Sequence, residues 1–322
     1  NRGCHIAGAL HNTGEGGISP YHQNGGDLIW QIGTAYFGCR DDQGNFDLAM
    51  LLDRVKENQV KAIEIKLSQG AKPGAGGILL GEKVTKEVSE IRGIPQGKTC
   101  MSPSAHSAFH DVDSLLDFVE KIADATGLPV GIKSAVGHMN FWEELADSMK
   151  TESRGVDFIT IDGGEGGTGA APLVFTDHIA FPFKIGFSKV YKVFLDRGIS
   201  EHITFIGSGK LGFPESAMMS LAMGCDMINV GRTALLSLGC IQAQRCHTGQ
   251  CPTGVATQSK WLMRGLDPTL KANRLANYIV GLRKELQTIS YACGYSHPGH
   301  ISLNDISILD DHLQYRALTE VL

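Results

Sequence analysis

Apolar, β-branched runs alternate with amphipathic helical stretches through most of this chain, and that alternation restricts it to folds built from parallel βαβ units. Seven runs read as strands: IAGAL (6–10), KAIEIKL (61–67), KTCMS (98–102), PVGIKSA (129–135), DFITIDG (157–163), HITFIGS (202–208) and MINVG (227–231). Between them, DVDSLLDFVEKIADATG sets Val112, Leu115, Leu116, Val119, Ile122 and Ala123 on one helical face and closes with Gly127. PESAMMSLAMG repeats the design: Pro214 is pre-set for a helix start, Ala217, Met218, Leu221 and Ala222 form the stripe, and Gly224 ends it. At 322 residues the chain predicts an α/β fold, a (β/α)8 barrel of TIM type with one strand missing from the count. The barrel region is expected over 1–256, including a cysteine-rich loop at 240–251. Residues 257–322 form a C-terminal helical extension, with Leu275, Ile279, Leu282, Leu286 and Ile289 in helical register.

The barrel is preferred to a doubly wound sheet because nearly every strand ends in polar, glycine-rich sequence, and barrels place their chemistry at those ends. HNTGEGG follows the first run, SQGAKPGAGG the second, SPSAH the third, DGGEGGTGAAP the fifth, GSGK the sixth and GRTA the seventh, while Lys133 lies on the fourth. The 40 glycines exceed the usual ~7% and gather in these short clusters, as backbone does where it approaches a ligand. GSGK and GRT, at the last two strands, are where barrels commonly hold a phosphate, with Lys210 and Arg232 adding charge. Asp162 and Glu165 read either as general bases or as turn acceptors. Lys133 is expected as a buried cation rather than a snorkelling one. Strand alternation puts Glu64 and Lys66 on one face, as a possible salt bridge inside the barrel, and sets Gln69 and Lys72 in the next loop, suited to a dicarboxylate. Glu15 can balance that charge or transfer a proton.

Cys240, Cys246 and Cys251 follow the seventh strand at spacing C-x5-C-x4-C. Three thiolates ending in Cys-Pro suit an iron-sulfur cluster; a Cys3His zinc site with His247 and plain packing are the alternatives. Three protein ligands favour a three-iron cluster. Cys4, Cys39, Cys100, Cys225 and Cys293 read as ordinary core or surface thiols.

A formal charge of -5 leaves no basic footprint for nucleic acid. No apolar run approaches a membrane span, and no signal-peptide layout opens the chain, so a cytoplasmic, reducing location is expected. The first residue is Asn1 rather than Met, and a piece of a longer protein is the expectation.

HNTGEGG (11–17), QGAKPGAGG (69–77), DGGEGGTGA (162–170) and CPTGVATQ (251–258) together resemble the FMN-binding synthase domain of glutamate synthase, and especially the shorter FMN-binding glutamate synthase-like proteins. The match runs from about residue 5 to 258 in the same order. The resemblance implies FMN and a 3Fe-4S cluster on Cys240, Cys246 and Cys251. Lys133, Asp162, Gly163, Gly164, Thr168 and Gly169 would line the flavin, and Ser208, Gly209, Gly231 and Arg232 would hold its phosphate. Glu15, Lys66, Gln69 and Lys72 would face 2-oxoglutarate, whose imine with ammonia or an amine would be reduced to glutamate or a derivative. Electrons would come from ferredoxin or an NAD(P)H-oxidising subunit, and ammonia from solution or a separate amidotransferase subunit. Relatives carry a strand and helix before HNTGEGG, so this chain is expected to lack the first βα unit.

Two other functions compete. Another FMN barrel reaction, such as hydroxy-acid oxidation, leaves the three cysteines without a purpose. A non-catalytic electron-transfer or scaffold subunit would have no need of Glu15, Gln69 and Lys72.

Overall fold

The computed structural model describes residues 1–151, 153–166, 171–172, 174–309, 311–312 and 314–320. Its strands are β1 (His11–Asn12), β2 (Leu28–Ile32), β3 (Val60–Lys66), β4 (Ile78–Leu79), β5 (Cys100–Met101), β6 (Val130–Ser134), β7 (Phe158–Asp162), β8 (Thr204–Ser208), β9 (Met227–Asn229), β10 (Ser307–Leu309) and β11 (Tyr315–Ala317). Seven of them form one parallel sheet in the order β1-β2-β3-β6-β7-β8-β9, curled into an open barrel with β1 and β9 at its edges. The helices are α1 (Arg2–Ala7), α2 (Leu48–Glu57), α3 (Lys86–Arg92), α4 (Val112–Thr126), α5 (Asn140–Thr151), α6 (Phe183–Asp196), α7 (Pro214–Ala222), α8 (Arg232–Ser237) and α9 (Pro268–Ala292).

Five of the strands, β3 and β6 to β9, and the long helices lie where the apolar patterns put them. Asp111 caps α4 by accepting from the Ser114 N–H at 2.8 Å, and Gly127 ends it at φ 66°, a left-handed conformation that glycine adopts without a Cβ penalty. The strand count of seven, however, is composed differently. IAGAL is not a strand: α1 occupies Arg2–Ala7, and Arg283 of α9 donates to the Ala7 and Gly8 carbonyls at its end. Short apolar runs do not distinguish helix from strand by periodicity. KTCMS is not a barrel strand either, because Cys100 and Met101 pair antiparallel with Leu79 and Ile78 on the outside. The two strands absent from the sequence reading are β1, too short and polar to show a pattern, and β2, LIWQI, buried along its whole length.

Period-two alternation divides every central strand into an outer and an inner face. Trp30, Ile63, Ile65, Ile132, Ile159 and Phe205 point outward into the main core with Leu115, Leu116, Val119, Trp142 and Phe187 of the helices. Inside the barrel, Ile29, Phe158 and Ile206 form an apolar floor, and Gly131 makes room for it, since a Cβ there would lie 2.4 Å from the Phe158 ring. Two residues further along each strand the interior turns polar. α9 packs against α1, α7 and α8, and its Leu286 joins Ala217, Met218 and Ala222 of α7 in a second core.

Candidate functional site

The polar ends of β3, β6, β7 and β8 converge on one rim. Lys66, the last residue of β3, lies 3.2 Å from Glu15 Oε2 and donates to Gln69 Oε1 at 2.9 Å. These three, with Lys72, line a cleft of about 350 Å³ of empty space floored by the glycines of 74–77. Burial pushes the Lys66 ammonium below its ordinary value, Glu15 pulls it back up, and Lys133 and Lys72 push it further down. The cleft therefore gathers cations around one carboxylate. Arg92 adds another: it lies over the Phe37 ring at 4.7 Å and beside Gly16, feels Glu15, and is lowered chiefly by burial.

A second ion pair lies next to the first, since Lys66 and Lys133 are register partners on β3 and β6. Lys133 Nζ is 3.6 Å from Asp162 Oδ2, and both side chains are buried. Burial alone would lower Lys133; Asp162 and then Glu64 outweigh it and hold the ammonium above its ordinary value. Asp162 also accepts from Ser208 Oγ at 2.7 Å and from the Gly70 N–H at 2.9 Å, so it ties the loop after β3 and the end of β8 to the end of β7. Glu165 accepts from the Phe183 N–H at the start of α6. Both acids accept from distant segments rather than from their own turn. Gly163 and Gly164 pack against Phe183 and the Ala180 carbonyl, and Gly209 adopts φ 147° beside Phe183. Gly231 has open space where a Cβ would project, and Arg232 opens α8. Lys210 turns away from the rim to Asp177 at 3.8 Å. Thr168 and Gly169 lie outside the described residues.

The Glu64–Lys66 salt bridge considered from the sequence does not form. Glu64 points into the barrel one layer below Lys66 and accepts from Asn12, Gln31 and Thr160. Buried His106 and Tyr36 also escaped the sequence reading. His106 Nε2 is 3.0 Å from the Lys66 carbonyl and its Nδ1 is 3.2 Å from the Tyr36 hydroxyl, which accepts from the Ser107 and Ala108 N–H groups. The network anchors the 103–108 loop against the end of β3. A buried, satisfied His carries no pattern that separates it from a surface one.

The cysteines are arranged differently from the expectation. All three thiols are free; Cys246 is exposed and Cys251 is buried. Among the described residues no three His, Cys, Asp or Glu side chains gather where a metal could be held. As described, the three thiols do not meet at one point. The Thr253 hydroxyl, outweighing burial, and the N–H groups of Thr253, Val255 and Ala256 bring the Cys251 thiol down to about 7.

A sequence model described as the conserved region in glutamate synthase matches residues 1–296. The chain is 39% identical over 318 residues to the glutamate synthase large subunit-like protein YerD of Bacillus subtilis, covering 98% of this chain and 59% of that protein. It is 35% identical over 293 residues to the archaeal glutamate synthase [NADPH] of Methanocaldococcus jannaschii, covering 89% of this chain and 54% of the relative. The chain thus spans between half and two thirds of these relatives. A solved mandelate oxidase variant with an FMN adduct shares the fold at TM-score 0.51 and 15% identity, over 92% of this chain and 70% of that one. The motif-bearing loops, the curled parallel sheet and the extent of the sequence match together establish that the chain belongs to the glutamate synthase family.

Proposed function

We propose that this chain is the flavin-binding, substrate-reducing part of a glutamate synthase-type oxidoreductase, taking FMN as cofactor and reducing the imine of 2-oxoglutarate and ammonia, or an amine, to glutamate or a derivative. The observation that carries this is the pair of adjoining ion pairs at the strand ends, Glu15–Lys66 and Lys133–Asp162. FMN fits the second pair: Lys133 is a largely buried cation suited to the electron-rich edge of a flavin, and Gly231 leaves open space on the proposed phosphate side. Ser208, Gly209, Gly231 and Arg232 would hold its phosphate, and Thr168 and Gly169 belong to the same proposed lining. When bound, FMN supplies a hydride from its N5 atom.

The rest of the work falls to this chain's side chains. Lys66, Gln69 and Lys72 bind and orient the dicarboxylate. Lys66 Nζ, depressed by burial and held by Glu15 Oε2, can give a proton to the substrate and regain one from solvent, the Glu15 carboxylate favouring the return to the ammonium. Electrons would enter from ferredoxin or an NAD(P)H-oxidising subunit, and ammonia from solution or a separate amidotransferase subunit. Cys240, Cys246 and Cys251 stand as proposed 3Fe-4S ligands on their spacing; because the thiols are not gathered, no electron step is derived through them. Eight free cysteines suit a reducing cytoplasm. No helix among the described residues is long and apolar enough to cross a membrane.

The test is single-turnover reoxidation of the reduced, FMN-loaded protein. 2-Oxoglutarate with ammonia is expected to reoxidise the wild type, and Lys72→Ala to abolish that at the same substrate concentration while retaining FMN. A Lys72→Ala protein that reoxidises normally refutes the assigned substrate site. Iron and acid-labile sulfide in oxygen-free preparations test the cluster, and their absence removes it.

A further inference from the structure

Among the described residues, Glu64 is the one buried carboxylate to which neither ion pair assigns a role. It is 1% exposed and lies between the apolar floor of Ile29, Phe158 and Ile206 and the layer that holds Lys66 and Lys133. Its donors come from three strands: Asn12 Nδ2 at 2.8 Å from β1 and Gln31 Nε2 at 2.5 Å from β2, both to Oε2, and Thr160 Oγ1 at 2.7 Å from β7 to Oε1. The orientation of the Asn12 amide is fixed independently, because its Oδ1 accepts from the Gly14 N–H at 3.0 Å. Oε2 is thus bracketed by two N–H groups that can only donate to it.

A buried charge held only by neutral donors is expensive compared with an apolar or amide side chain of the same size. Lys66 and Lys133 already have a carboxylate each, in Glu15 and Asp162, so Glu64 is surplus negative charge directly beneath them. We propose that Glu64 is a positioning residue whose fixed charge offsets the positive potential that Lys66 and Lys133 present at the rim, and so sets the reduction potential of the flavin bound there. This rests on the FMN reading above. Its sign follows from charge balance. Reduction of the isoalloxazine ring by two electrons and one proton adds one negative charge, which Lys133 stabilises and Glu64 opposes. The influence of Glu64 on the Lys133 ammonium is the same coupling seen from the protein side.

Glu64→Gln removes the charge and keeps the shape: its Oε1 takes the Asn12 and Gln31 bonds, and its amide faces Thr160, whose hydroxyl can turn to accept. The measurement is the midpoint potential of FMN in the full chain, by dithionite titration against reference dyes, for wild type, Glu64→Gln and Thr160→Val. A positive shift is expected for Glu64→Gln, on the order of tenfold in the reduction equilibrium, which is about 30 mV for a two-electron couple. Thr160→Val loses a hydrogen bond but no charge, and is expected at the wild-type potential. An unchanged potential in FMN-loaded Glu64→Gln overturns the proposal, as does an equal shift in Thr160→Val. Should Glu64→Gln not fold, Gln31→Lys neutralises Glu64 in place and must shift the potential in the same direction. A wild-type chain that binds no FMN overturns the flavin reading itself, an outcome separate from the others.

Discussion

Replacing Gly70 with alanine tests whether the loop after β3 and the loop after β7, proposed to hold substrate and flavin, function as one unit. A Cβ on residue 70 would lie 1.9 Å from the Gly163 carbonyl oxygen and 2.9 Å from that of Asp162, whereas real Cβ atoms essentially never come within 3.0 Å. The nearest obstacle is backbone, not the flexible end of a side chain, so the two loops have to part by about 1 Å. That movement also stretches the hydrogen bond from the Gly70 N–H to Asp162 Oδ2, now 2.9 Å, and carries Gln69 and Lys72 away from the Lys133–Asp162 pair. Overpacking of this kind costs about 1–3 kcal/mol of stability, and a misplacement of ~1 Å between reacting partners costs on the order of a hundredfold in rate. Stopped-flow reoxidation of the reduced flavin by 2-oxoglutarate and ammonia reads the rate, and the FMN dissociation constant reads whether the flavin side is intact. The expected result is a rate loss of about two orders of magnitude with FMN retained. A Gly70→Ala protein that melts at the wild-type temperature and turns over within about threefold of wild type would refute the close approach on which the reasoning depends.

Two further outcomes follow from buried charge. Asp162→Asn leaves the Lys133 ammonium without its carboxylate and is expected to destabilise the fold by about 3–5 kcal/mol; equilibrium urea unfolding measures it, and an unchanged midpoint removes the pair from the stabilising interactions. His11 is held at about 4, below its ordinary 6.5, first by burial and further by His22; its Nδ1 has no hydrogen-bond partner. Because the folded state favours the neutral ring, its contribution is complete above pH 6.5 and is lost as the pH falls towards 4. Melting temperature should therefore fall across that window, and His11→Leu should flatten the fall; an unaltered slope would assign the acid sensitivity to other groups.

What the sequence by itself determined is the class of fold and the composition of the site. Outward-facing Ile63, Ile65, Ile132, Ile159 and Phe205 alternate with polar or small inward residues on their strands, and that period-two pattern is local and therefore legible. The strand ends and their loops likewise carry Glu15, Lys66, Gln69, Lys72, Lys133 and Asp162 in the sequence as candidates for the site. Tertiary structure alone decided who partners whom. Glu64 and Lys66 share a face in the sequence, yet Lys66 pairs with Glu15 across strands and Glu64 is held by Asn12, Gln31 and Thr160, because closure of the sheet brings three other strands nearer than the next residue but one. IAGAL and β2 were misread for the same reason: six residues of α1 are helical because α9 packs on them, and LIWQI is central because both its neighbours pair with it. The cysteine spacing is written in the chain, but whether three thiols meet is a property of how segment 240–251 closes in space, and no local pattern encodes that distance.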